Sequence, residues 1–516
     1  MTHAPLMLSV SGCRGIFGVT MTPEVAARFA TVVGTYFVEQ SAATGSTARP
    51  LVILARDGRA AGDLLARAAA TGLAASGCDV LDCDIAMTPT IGVMVDARRA
   101  AGGLIVTASH NPQEWNGLKI IAGQLSHPTS DIHHPTSASA PSKPLADALI
   151  ARFRAAPSSG APGVTVDKVG RIQTAALGGK DALGFPSEAV HAHVDKVREA
   201  LKSIGCVEDR RWQSIKCIVD SVNCSGTSGA KALLGPCITH HLGSSDSGLF
   251  PHAPEPTRDN LQTLARFVAE KRADVGFAQD PDADRLAVID EKGNYIGEEY
   301  TLVLAVEALL GSATGFPARD SASAASATGF PARVSASAAP TICVNLSTSR
   351  MIEDVAAKHG AKVIRTAVGE ANVVEAMKRH HSIIGGEGNG GVIWPRVTYI
   401  RDSLSAMGLI LALMTRTGKT ISELVADIPR YAIIKRKVDL RAPEDAQRAV
   451  HAIARAYANE RVDLQDGVWI GFDTKRAWLH IRGSNTEPIM RLIAEAPTES
   501  LANHILDQAA AIIAKG

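Results

Sequence analysis

Apolar strand-like runs alternate with helical patterns through three successive stretches of this 516-residue chain. In the first stretch, strand-like runs at 51–55, 80–85 and 102–106 alternate with helical patterns at 23–40 and 60–76. The next two stretches repeat this order, with strand-like runs at 216–222, 274–278, 341–346, 362–366 and 382–385 and helical patterns at 226–234, 260–272, 300–310, 351–359 and 373–380. Such alternation is typical of βαβ units with parallel strands. The pattern predicts three similar α/β domains with mixed, mainly parallel sheets.

The last part of the chain has a different pattern. Strand-like runs at 433–440, 468–472, 477–481 and 490–494 cluster with helical patterns at 443–459 and 499–514. Strands grouped in this way indicate a smaller α+β domain. We therefore expect four domains, at residues 1–185, 186–298, 299–428 and 429–516.

Two stretches interrupt this pattern. Residues 312–325 recur almost unchanged at 326–339, and their Ser, Ala, Gly and Pro content cannot build a core. The tetrapeptide HPTS occurs at 127–130 and again at 134–137, within a polar stretch at 124–144. We predict a flexible insertion at 312–339 and a surface loop at 124–144.

Composition excludes several classes of protein. The net charge is +1, which provides no overall field to attract nucleic acid or an anionic membrane. None of the eight cysteines forms a C-x-x-C pair, so they are expected to be reduced thiols of a cytoplasmic protein. No apolar run approaches the length of a membrane span. We therefore expect a soluble cytoplasmic protein that binds neither nucleic acid nor membrane.

A polar turn, TASHNP at 107–112, follows the apolar run 102–106 directly. Its Asn-Pro pair ends regular structure and turns the chain. Ser109 thus lies at the carboxyl end of a strand, which is where open α/β sheets bind their ligands.

A second polar turn, DPDADR at 280–285, follows the strand-like run 274–278. Its aspartates Asp280, Asp282 and Asp284 can converge on one hard cation such as Mg²⁺, Mn²⁺ or Ca²⁺. An EF-hand is excluded because Arg285 stands at its glycine position, although Glu291 falls at the twelfth position. The alternative interpretation is a solvated acidic turn.

Two further turns carry polar groups of other kinds. The glycine-rich segment GEGNGG at 386–391 offers Glu387 and Asn389, which suit sugar hydroxyls, unless it is an ordinary glycine turn. The segment RGSNTEP at 482–488 is either a phosphate cradle or a polar hairpin turn. Its candidate phosphate ligands are Arg482, Ser484, Asn485 and Thr486, with Arg491 close behind.

Basic side chains stand beside these turns. Arg14 lies in the segment SGCRG, and Lys119 follows Ser109 closely. Arg56, Asp57 and Arg59 end the first strand-like run. Each of them is an ordinary surface charge when taken alone.

Taken together, the four segments TASHNP, DPDADR, GEGNGG and RGSNTEP resemble, in order and in kind, the active-site signatures of the α-D-phosphohexomutases. The resemblance implies four domains around a central cleft, with Ser109 as the phosphorylated residue. It implies one Mg²⁺ per chain, held by Asp280, Asp282, Asp284 and a phosphate oxygen on Ser109. Lys119, Arg14, His110 and Arg285 would be the catalytic side chains. The substrate would be bound by Glu387, Asn389, Arg482, Ser484, Asn485, Thr486 and Arg491.

The resemblance also implies the reaction. Phosphoserine would donate its phosphoryl group to a hexose phosphate, giving a hexose 1,6-bisphosphate that acts as intermediate and activator. The bisphosphate would then turn around and return its other phosphate to Ser109. The product would be the isomeric hexose phosphate, made by a monomer or a homodimer.

The third segment departs from the commonest family pattern, G-E-x-S-G-H. Asn389 replaces the serine and Gly391 the histidine, so a histidine cannot assist proton transfer there and Lys119 gains importance. This form resembles an archaeal-type branch that is assigned to phosphoglucosamine or phosphomannose substrates. We expect glucosamine phosphate, with mannose or glucose phosphate as the alternative. A phosphosugar phosphatase and a non-catalytic phosphosugar binder are the other hypotheses.

Overall fold

The computed structural model describes residues 5–10, 12–123, 138–156, 164–174, 187–206, 210–312, 339–440, 445–483 and 489–515. Within these ranges the chain forms four β-sheets with helices packed against them. The duplicated segment lies outside the described residues, apart from its two ends, and so do both HPTS repeats. The predicted fold class is confirmed, because three sheets are mixed and mainly parallel and the last is antiparallel.

The first sheet has seven strands in the order β1-β2-β6-β5-β3-β4-β7. Strands β3, β4, β5 and β7 are parallel, whereas β1, β2 and β6 form an antiparallel edge. The strands are β1 (Met7–Ser9), β2 (Gly12–Ile16), β3 (Leu51–Arg56), β4 (Asp79–Ile85), β5 (Gly102–Val106), β6 (Trp115–Ala122) and β7 (Ile172–Thr174). The helices are α1 (Pro23–Ala43), α2 (Gly62–Ala75), α3 (Thr88–Ala97) and α4 (Lys143–Ala155).

The second and third sheets have four strands each, in the orders β11-β10-β8-β9 and β13-β12-β14-β15. The second unit comprises α5 (Ser187–Ser203), α6 (Arg210–Ser214), β8 (Cys217–Asp220), α7 (Gly226–Leu234), β9 (Ile238–Leu242), α8 (Gln262–Lys271), β10 (Val275–Gln279) and β11 (Leu286–Ile289). The third comprises α9 (Glu298–Leu310), β12 (Thr341–Asn345), α10 (Met351–Lys358), β13 (Lys362–Thr366), α11 (Glu370–His380), β14 (Ile384–Glu387), β15 (Gly391–Ile393), α12 (Ser403–Thr417) and α13 (Ile421–Ala426). One hydrophobic core, which includes Val219, Phe277, Leu304 and Leu409, joins the two units.

The fourth sheet is antiparallel, in the order β16-β20-β19-β18-β17. Its strands are β16 (Ala432–Asp439), β17 (Arg461–Asp463), β18 (Val468–Phe472), β19 (Ala477–Gly483) and β20 (Ile489–Ala496). Two helices, α14 (Asp445–Ala456) and α15 (Glu499–Lys515), complete this α+β unit. No helix in the described part of the chain is both long enough and apolar enough to cross a membrane.

Two local predictions need correction. The strand predicted at 216–222 ends at Asp220, because Val222 and Asn223 adopt left-handed backbone angles with φ of 47° and 58°. The polar stretch 124–144 was expected at the surface, yet Ala138 and Ser139 are buried. Ser139 exchanges backbone hydrogen bonds with Ala122 at the end of β6, which holds this part of the stretch inside the molecule.

Candidate active site

Ser109 lies just beyond β5 in a left-handed backbone conformation, with φ of 51° and only 2% of its surface exposed. A non-glycine residue rarely adopts this conformation, which costs roughly 1–2 kcal/mol. The turn is held by hydrogen bonds at both ends of the residue. Ser109 N–H donates to Thr107 Oγ1 at 2.8 Å, and Arg59 Nη2 donates to the Ser109 carbonyl at 2.6 Å.

Arg59 and Asp57 form a buried ion pair behind this turn. Arg59 Nε donates to Asp57 Oδ2 at 2.9 Å, and Thr107 Oγ1 donates to the same oxygen at 2.7 Å. Both charged side chains are fully buried. The sequence showed only that these residues end a strand; the fold shows that they fix the backbone of Ser109.

Asp280, Asp282 and Asp284 come together as predicted. All three are fully buried, and one oxygen from each carboxylate lies within 4.8 Å of the others. Ala283 adopts a φ of 53° between them. Ser109 Oγ donates a hydrogen bond to Asp280 Oδ2 at 3.0 Å, which joins the first predicted segment to the second.

The aspartate cluster has unused acceptors suited to a cation. Asp282 Oδ1 and Asp284 Oδ1 are buried and have no hydrogen-bond partner. Burial, together with Asp284 and Asp282, raises the pKa of Asp280 well above its usual range. Burial opposes ionisation of Asp284 as well, but Arg401, Lys119 and Arg285 outweigh it and lower its pKa. Hard oxygen donors crowded in this way fit Mg²⁺.

Lys119 lies on β6 and points at the same cluster. Its Nζ donates to Asp284 Oδ2 at 2.9 Å and lies 3.5 Å from Asp282 Oδ2. Burial alone would lower the pKa of Lys119, but these aspartates raise it above the usual value. Lys119 is therefore an ammonium group here, which suits stabilising charge and donating a proton rather than accepting one.

The other three predicted catalytic side chains belong to the first two segments or contact them. Ser109 Oγ lies 3.3 Å from His110 Nδ1, and Arg14 Nη1, on β2, donates to Asn111 Oδ1 at 3.3 Å. Burial, followed by the charges of Arg285 and Arg14, lowers the pKa of His110 to about 3. Arg285 Nε lies 3.9 Å from Asp284 Oδ1. His110 is therefore neutral, and the charges of Arg285 and Arg14 act on its ring beside the serine.

The glycine-rich segment is a hairpin rather than a loop after a strand. The strand predicted at 382–385 runs instead from Ile384 to Glu387, and Gly391 begins β15 opposite it. Asn345 Nδ2 donates to Glu387 Oε1 at 2.8 Å, and Gly369 N–H donates to the same oxygen at 3.2 Å. Asn389 Oδ1 is buried without a hydrogen-bond partner.

Arg401, which sequence reasoning missed, connects the second and third segments. Its Nη2 donates to Asp284 Oδ2 at 2.6 Å, and its Nη1 donates to Glu387 Oε2 at 2.9 Å. Glu370 Oε2 lies 3.4 Å from Arg401 Nε. The RDS sequence at 401–403 contains no signal of this role, because the contact joins residues 117 positions apart.

The fourth segment lies on the antiparallel sheet of the last unit. Arg482 and Arg491 face each other directly across β19 and β20, and Lys437 on β16 is the next neighbour of Arg491. Arg482 Nη1 donates to Asp466 Oδ2 at 3.0 Å. The predicted ligands Ser484, Asn485 and Thr486 lie outside the described residues.

The first three segments thus meet through hydrogen bonds, from Ser109 to Asp280 and from Arg401 to both Asp284 and Glu387. Between the described residues, no hydrogen bond joins Arg482 or Arg491 to these three segments. The fourth segment lies between two antiparallel strands, as its interpretation as a hairpin turn predicts. The facing arginines are also compatible with a phosphate-binding site.

Four family models match successive parts of the chain. They describe phosphoglucomutase/phosphomannomutase alpha/beta/alpha domain I at residues 7–133, domain II at 191–293 and domain III at 322–431. The C-terminal domain of the same family matches residues 435–512. Fold and site together therefore define a phosphosugar mutase, an isomerase that moves a phosphoryl group within its substrate.

Similar proteins support the same assignment. A phosphoglucomutase/phosphomannomutase of Thermococcus kodakarensis is 31% identical over 502 residues, which cover 96% of each chain. A probable phosphoglucosamine mutase of Thermococcus gammatolerans is 30% identical over 514 residues, or 98% of this chain and 97% of the relative. The chain belongs to the phosphoglucomutase/phosphomannomutase family. This confirms the resemblance inferred from the four segments, and the archaeal relatives agree with the archaeal-type third segment.

A solved structure shares the fold. The crystal structure of a phosphoglucomutase/phosphomannomutase family protein from Burkholderia thailandensis superposes with a TM-score of 0.75 at 22% identity. The match covers 99% of each chain. The four-unit architecture is therefore that of the family.

Proposed function

We propose that this protein interconverts hexose 6-phosphate and hexose 1-phosphate through a phosphorylated Ser109 and a hexose 1,6-bisphosphate. The observation that carries the proposal is the contact between Ser109 Oγ and Asp280 Oδ2, at 3.0 Å, within a buried cluster of three aspartates. A serine in a strained turn against metal-ligating carboxylates suits reversible storage of a phosphoryl group.

We propose one Mg²⁺ per chain, held by Asp280, Asp282 and Asp284 together with an oxygen of phosphorylated Ser109. The Oδ1 atoms of Asp282 and Asp284, which accept no hydrogen bond, support this assignment. Bound Mg²⁺ would neutralise charge on the phosphoryl oxygens during transfer. The chain's own contribution is to hold the carboxylates in place, through Lys119 and Arg401 on Asp284 and through Arg285 N–H on Asp280.

In the transfer step, the bond between Ser109 Oγ and phosphorus breaks as a sugar hydroxyl oxygen bonds to phosphorus. The sugar hydroxyl loses one proton and Ser109 Oγ gains one, so the step moves one proton between these two oxygens and needs no other donor or acceptor overall. Lys119, held as an ammonium, and Arg14 stabilise the negative charge that shifts between these oxygens. The neutral ring of His110, 3.3 Å from Ser109 Oγ, is placed to exchange a hydrogen bond with that oxygen.

Arg482 and Arg491, with Ser484, Asn485 and Thr486, would bind the phosphate that does not react. The direct opposition of two arginines supports this, because like charges facing each other destabilise a sheet, and in the described residues the Asp466 carboxylate forms an ion pair with Arg482 alone. The bisphosphate would turn around and present its other phosphate to Ser109. It would also serve as an activator, since it can phosphorylate an enzyme that has lost its phosphate.

We propose glucosamine phosphate as the preferred sugar. The two relatives carry different substrate names at almost the same identity, so overall similarity does not select the sugar. The Glu387 carboxylate and the unpartnered carbonyl oxygen of Asn389 are acceptors, which suit the ammonium group of glucosamine better than a neutral hydroxyl. Mannose or glucose phosphate is the alternative.

The decisive experiment is intact-mass measurement with peptide mapping of the purified protein. We expect phosphate on Ser109, and mutase activity that rises when hexose 1,6-bisphosphate is added. Comparing kcat/KM for the 6-phosphates of glucosamine, mannose and glucose tests the sugar. A strong preference for mannose would overturn the substrate proposal, and a wild-type rate in Ser109→Ala would overturn the mechanism.

We also propose that the four units extend over residues 1–185, 186–298, 299–428 and 429–516. None of the eight cysteines, all of which lie in the described ranges, forms a disulfide, which supports a cytoplasmic location. We expect a monomer or a homodimer that needs neither nucleic acid nor membrane, and light scattering of the purified chain tests the assembly state.

A further inference from the structure

Arg401 is the one buried cation bonded to both the aspartate cluster and the glycine-rich hairpin in the part of the chain that the structure describes. Its side chain is 10% exposed. One arm of its guanidinium donates to Asp284 Oδ2 and the other to Glu387 Oε2. A planar fork of this kind fixes the direction of each bond, which a lysine cannot do.

The base of the Arg401 side chain is fixed too. Arg401 N–H donates to Glu370 Oε1 at 3.0 Å, and its neighbour Asp402 caps α12 by accepting from Leu404 N–H at 2.9 Å. Asp402 Oδ2 also lies 3.0 Å from the buried His193 Nε2 on α5. The arginine therefore starts from a backbone position that the second and third units hold together.

The division of oxygens on Asp284 indicates what this arrangement does. Lys119 and Arg401 both bind Oδ2, while Oδ1 stays free of hydrogen bonds. The carboxylate is thereby turned so that Oδ1, which accepts no hydrogen bond and has Arg285 Nε 3.9 Å away, can bind a metal ion. The same guanidinium binds Glu387 at Oε2, so one side chain contacts both groups and fixes the distance between them.

Gly391 makes room for this side chain. A Cβ built on Gly391 would overlap Arg401 Cδ and lie 3.0 Å from Cγ, whereas its next contact is Asn389 Oδ1 at 3.2 Å. The space where a side chain at 391 would stand is thus occupied by Arg401. Glycine at 391 and arginine at 401 form a matched pair.

We propose that Arg401 is a positioning residue that aligns the metal-ligating Asp284 with the sugar-facing Glu387, and that Gly391 is required because it leaves space for Arg401. This inference rests on the proposed function for its effect on turnover. Its effect on cation binding does not depend on which sugar, or whether any sugar, is turned over.

The test is a double-mutant cycle of Arg401→Ala and Gly391→Ala, read by calorimetric Mn²⁺ binding and by kcat and KM for the hexose phosphate. Loss of a group that orients a metal ligand should weaken Mn²⁺ binding about 10-fold. Misalignment of the two groups should lower kcat/KM about 100-fold. Gly391→Ala should have similar effects alone but change Mn²⁺ affinity less than about 2-fold in the Arg401→Ala background.

Two further variants keep the test decisive. Arg401→Lys keeps the buried positive charge but loses the two-armed guanidinium. It is measured in case Arg401→Ala does not fold, and it should still weaken Mn²⁺ binding. Arg416→Ala, near the far end of the helix α12 that follows Arg401, removes an arginine that donates to Ala308 O at 2.8 Å and should bind Mn²⁺ like the wild type.

Wild-type Mn²⁺ affinity in folded Arg401→Lys and Arg401→Ala proteins would overturn the inference. If Gly391→Ala weakened Mn²⁺ binding equally in the wild-type and Arg401→Ala backgrounds, the proposed pairing of Gly391 with Arg401 would be wrong. If the wild type isomerises no hexose phosphate, the proposed function fails instead, and the Mn²⁺ affinities still decide the role of Arg401.

Discussion

The Ser109 site and the arginine pair on the last sheet are built in opposite ways. Around Ser109, the charged groups are buried and hydrogen-bonded to one another, as in the Arg59–Asp57 pair with both side chains fully buried. Arg491 on the last sheet is exposed and faces Arg482 directly. Arg482 has one acidic partner, Asp466, and both side chains of that pair are 25% exposed.

Because of this difference, substitutions in the two regions should affect stability and activity in different ways. In the buried network, a lost partner leaves an uncompensated charge, so stability and activity should fall together. At the arginine pair, opposed like charges weaken the sheet, so a variant that removes one should gain stability while it loses phosphate binding.

Ser109→Ala should give the largest effect, and it separates loss of the reaction from loss of the buried ion pairs. The variant removes the proposed nucleophile and one hydrogen bond to Asp280, but leaves the ion pairs intact. We expect mutase activity to fall by at least about 10⁴-fold, with Mn²⁺ binding retained. Steady-state assays and calorimetry measure the two quantities. Ser245→Ala, at an exposed serine of the second unit, is the control and should behave as wild type.

Arg59→Met should break the buried network and change both properties. It leaves Asp57 buried without its cation, which should cost about 3–5 kcal/mol of unfolding free energy. The loosened Ser109 turn should lower kcat about 100-fold. Chemical denaturation and kinetics check the two effects.

Adding Asp57→Asn to Arg59→Met sharpens this prediction. The double variant should recover part of the stability but none of the activity, because Ser109 O still lacks its donor. Arg266→Met, which removes an exposed ion pair with Glu270, is the matched control and should change stability little. Recovery of full activity in the double variant would show that Arg59 does not position Ser109.

Local sequence patterns predicted the site residues that directly follow strands. They missed the residues that reach the site from elsewhere in the sequence. Ser109 and the three aspartates stand in distinctive turns after apolar runs, so their types and positions are readable from the sequence. Arg401 and Arg59 act on residues 117 and 50 positions away, and no local pattern records such a contact. The sequence showed that Gly391 replaces the histidine of the family pattern. Only the structure shows that Arg401 fills the space beside this glycine.

Helices α3 and α12 were missed for a physical reason. Residues 88–95 of α3 and 403–414 of α12 are all buried, so neither helix shows an alternation of apolar and polar faces. The amphipathic α14, in contrast, was predicted at 443–459 and observed at Asp445–Ala456. Neither α3 nor α12 has the polar face whose periodicity located α14.

Arg491→Gln should change stability and activity in opposite directions. Removing one of the opposed arginines should raise the unfolding free energy by a few tenths of a kcal/mol. Loss of a charge-assisted phosphate contact should raise KM about 10-fold and leave kcat nearly unchanged. Arg436→Gln on β16, whose partners are Asp507 and Asn503, is the control and should leave KM unchanged. A fall in stability together with an unchanged KM in Arg491→Gln would contradict the cradle.

His252→Gln should give the smallest effect and probes the loop behind the Ser109 turn. This loop is joined to the first unit because Gly248 O accepts from Gln113 Nε2 at 3.1 Å, and it contains His252, which lies 2.9 Å from Asp220 Oδ2. The hydrogen bond to Asp220 is the main cause that raises the pKa of His252 above its usual value of 6.5. Because the folded pKa is the higher one, the stabilisation is fully present below the unfolded pKa and is lost as the pH rises through the folded pKa. Chemical denaturation should therefore show a larger difference in unfolding free energy between wild type and His252→Gln at about pH 5.5 than at about pH 9. A difference in unfolding free energy that grows with pH would mean that Asp220 does not hold the protonated ring.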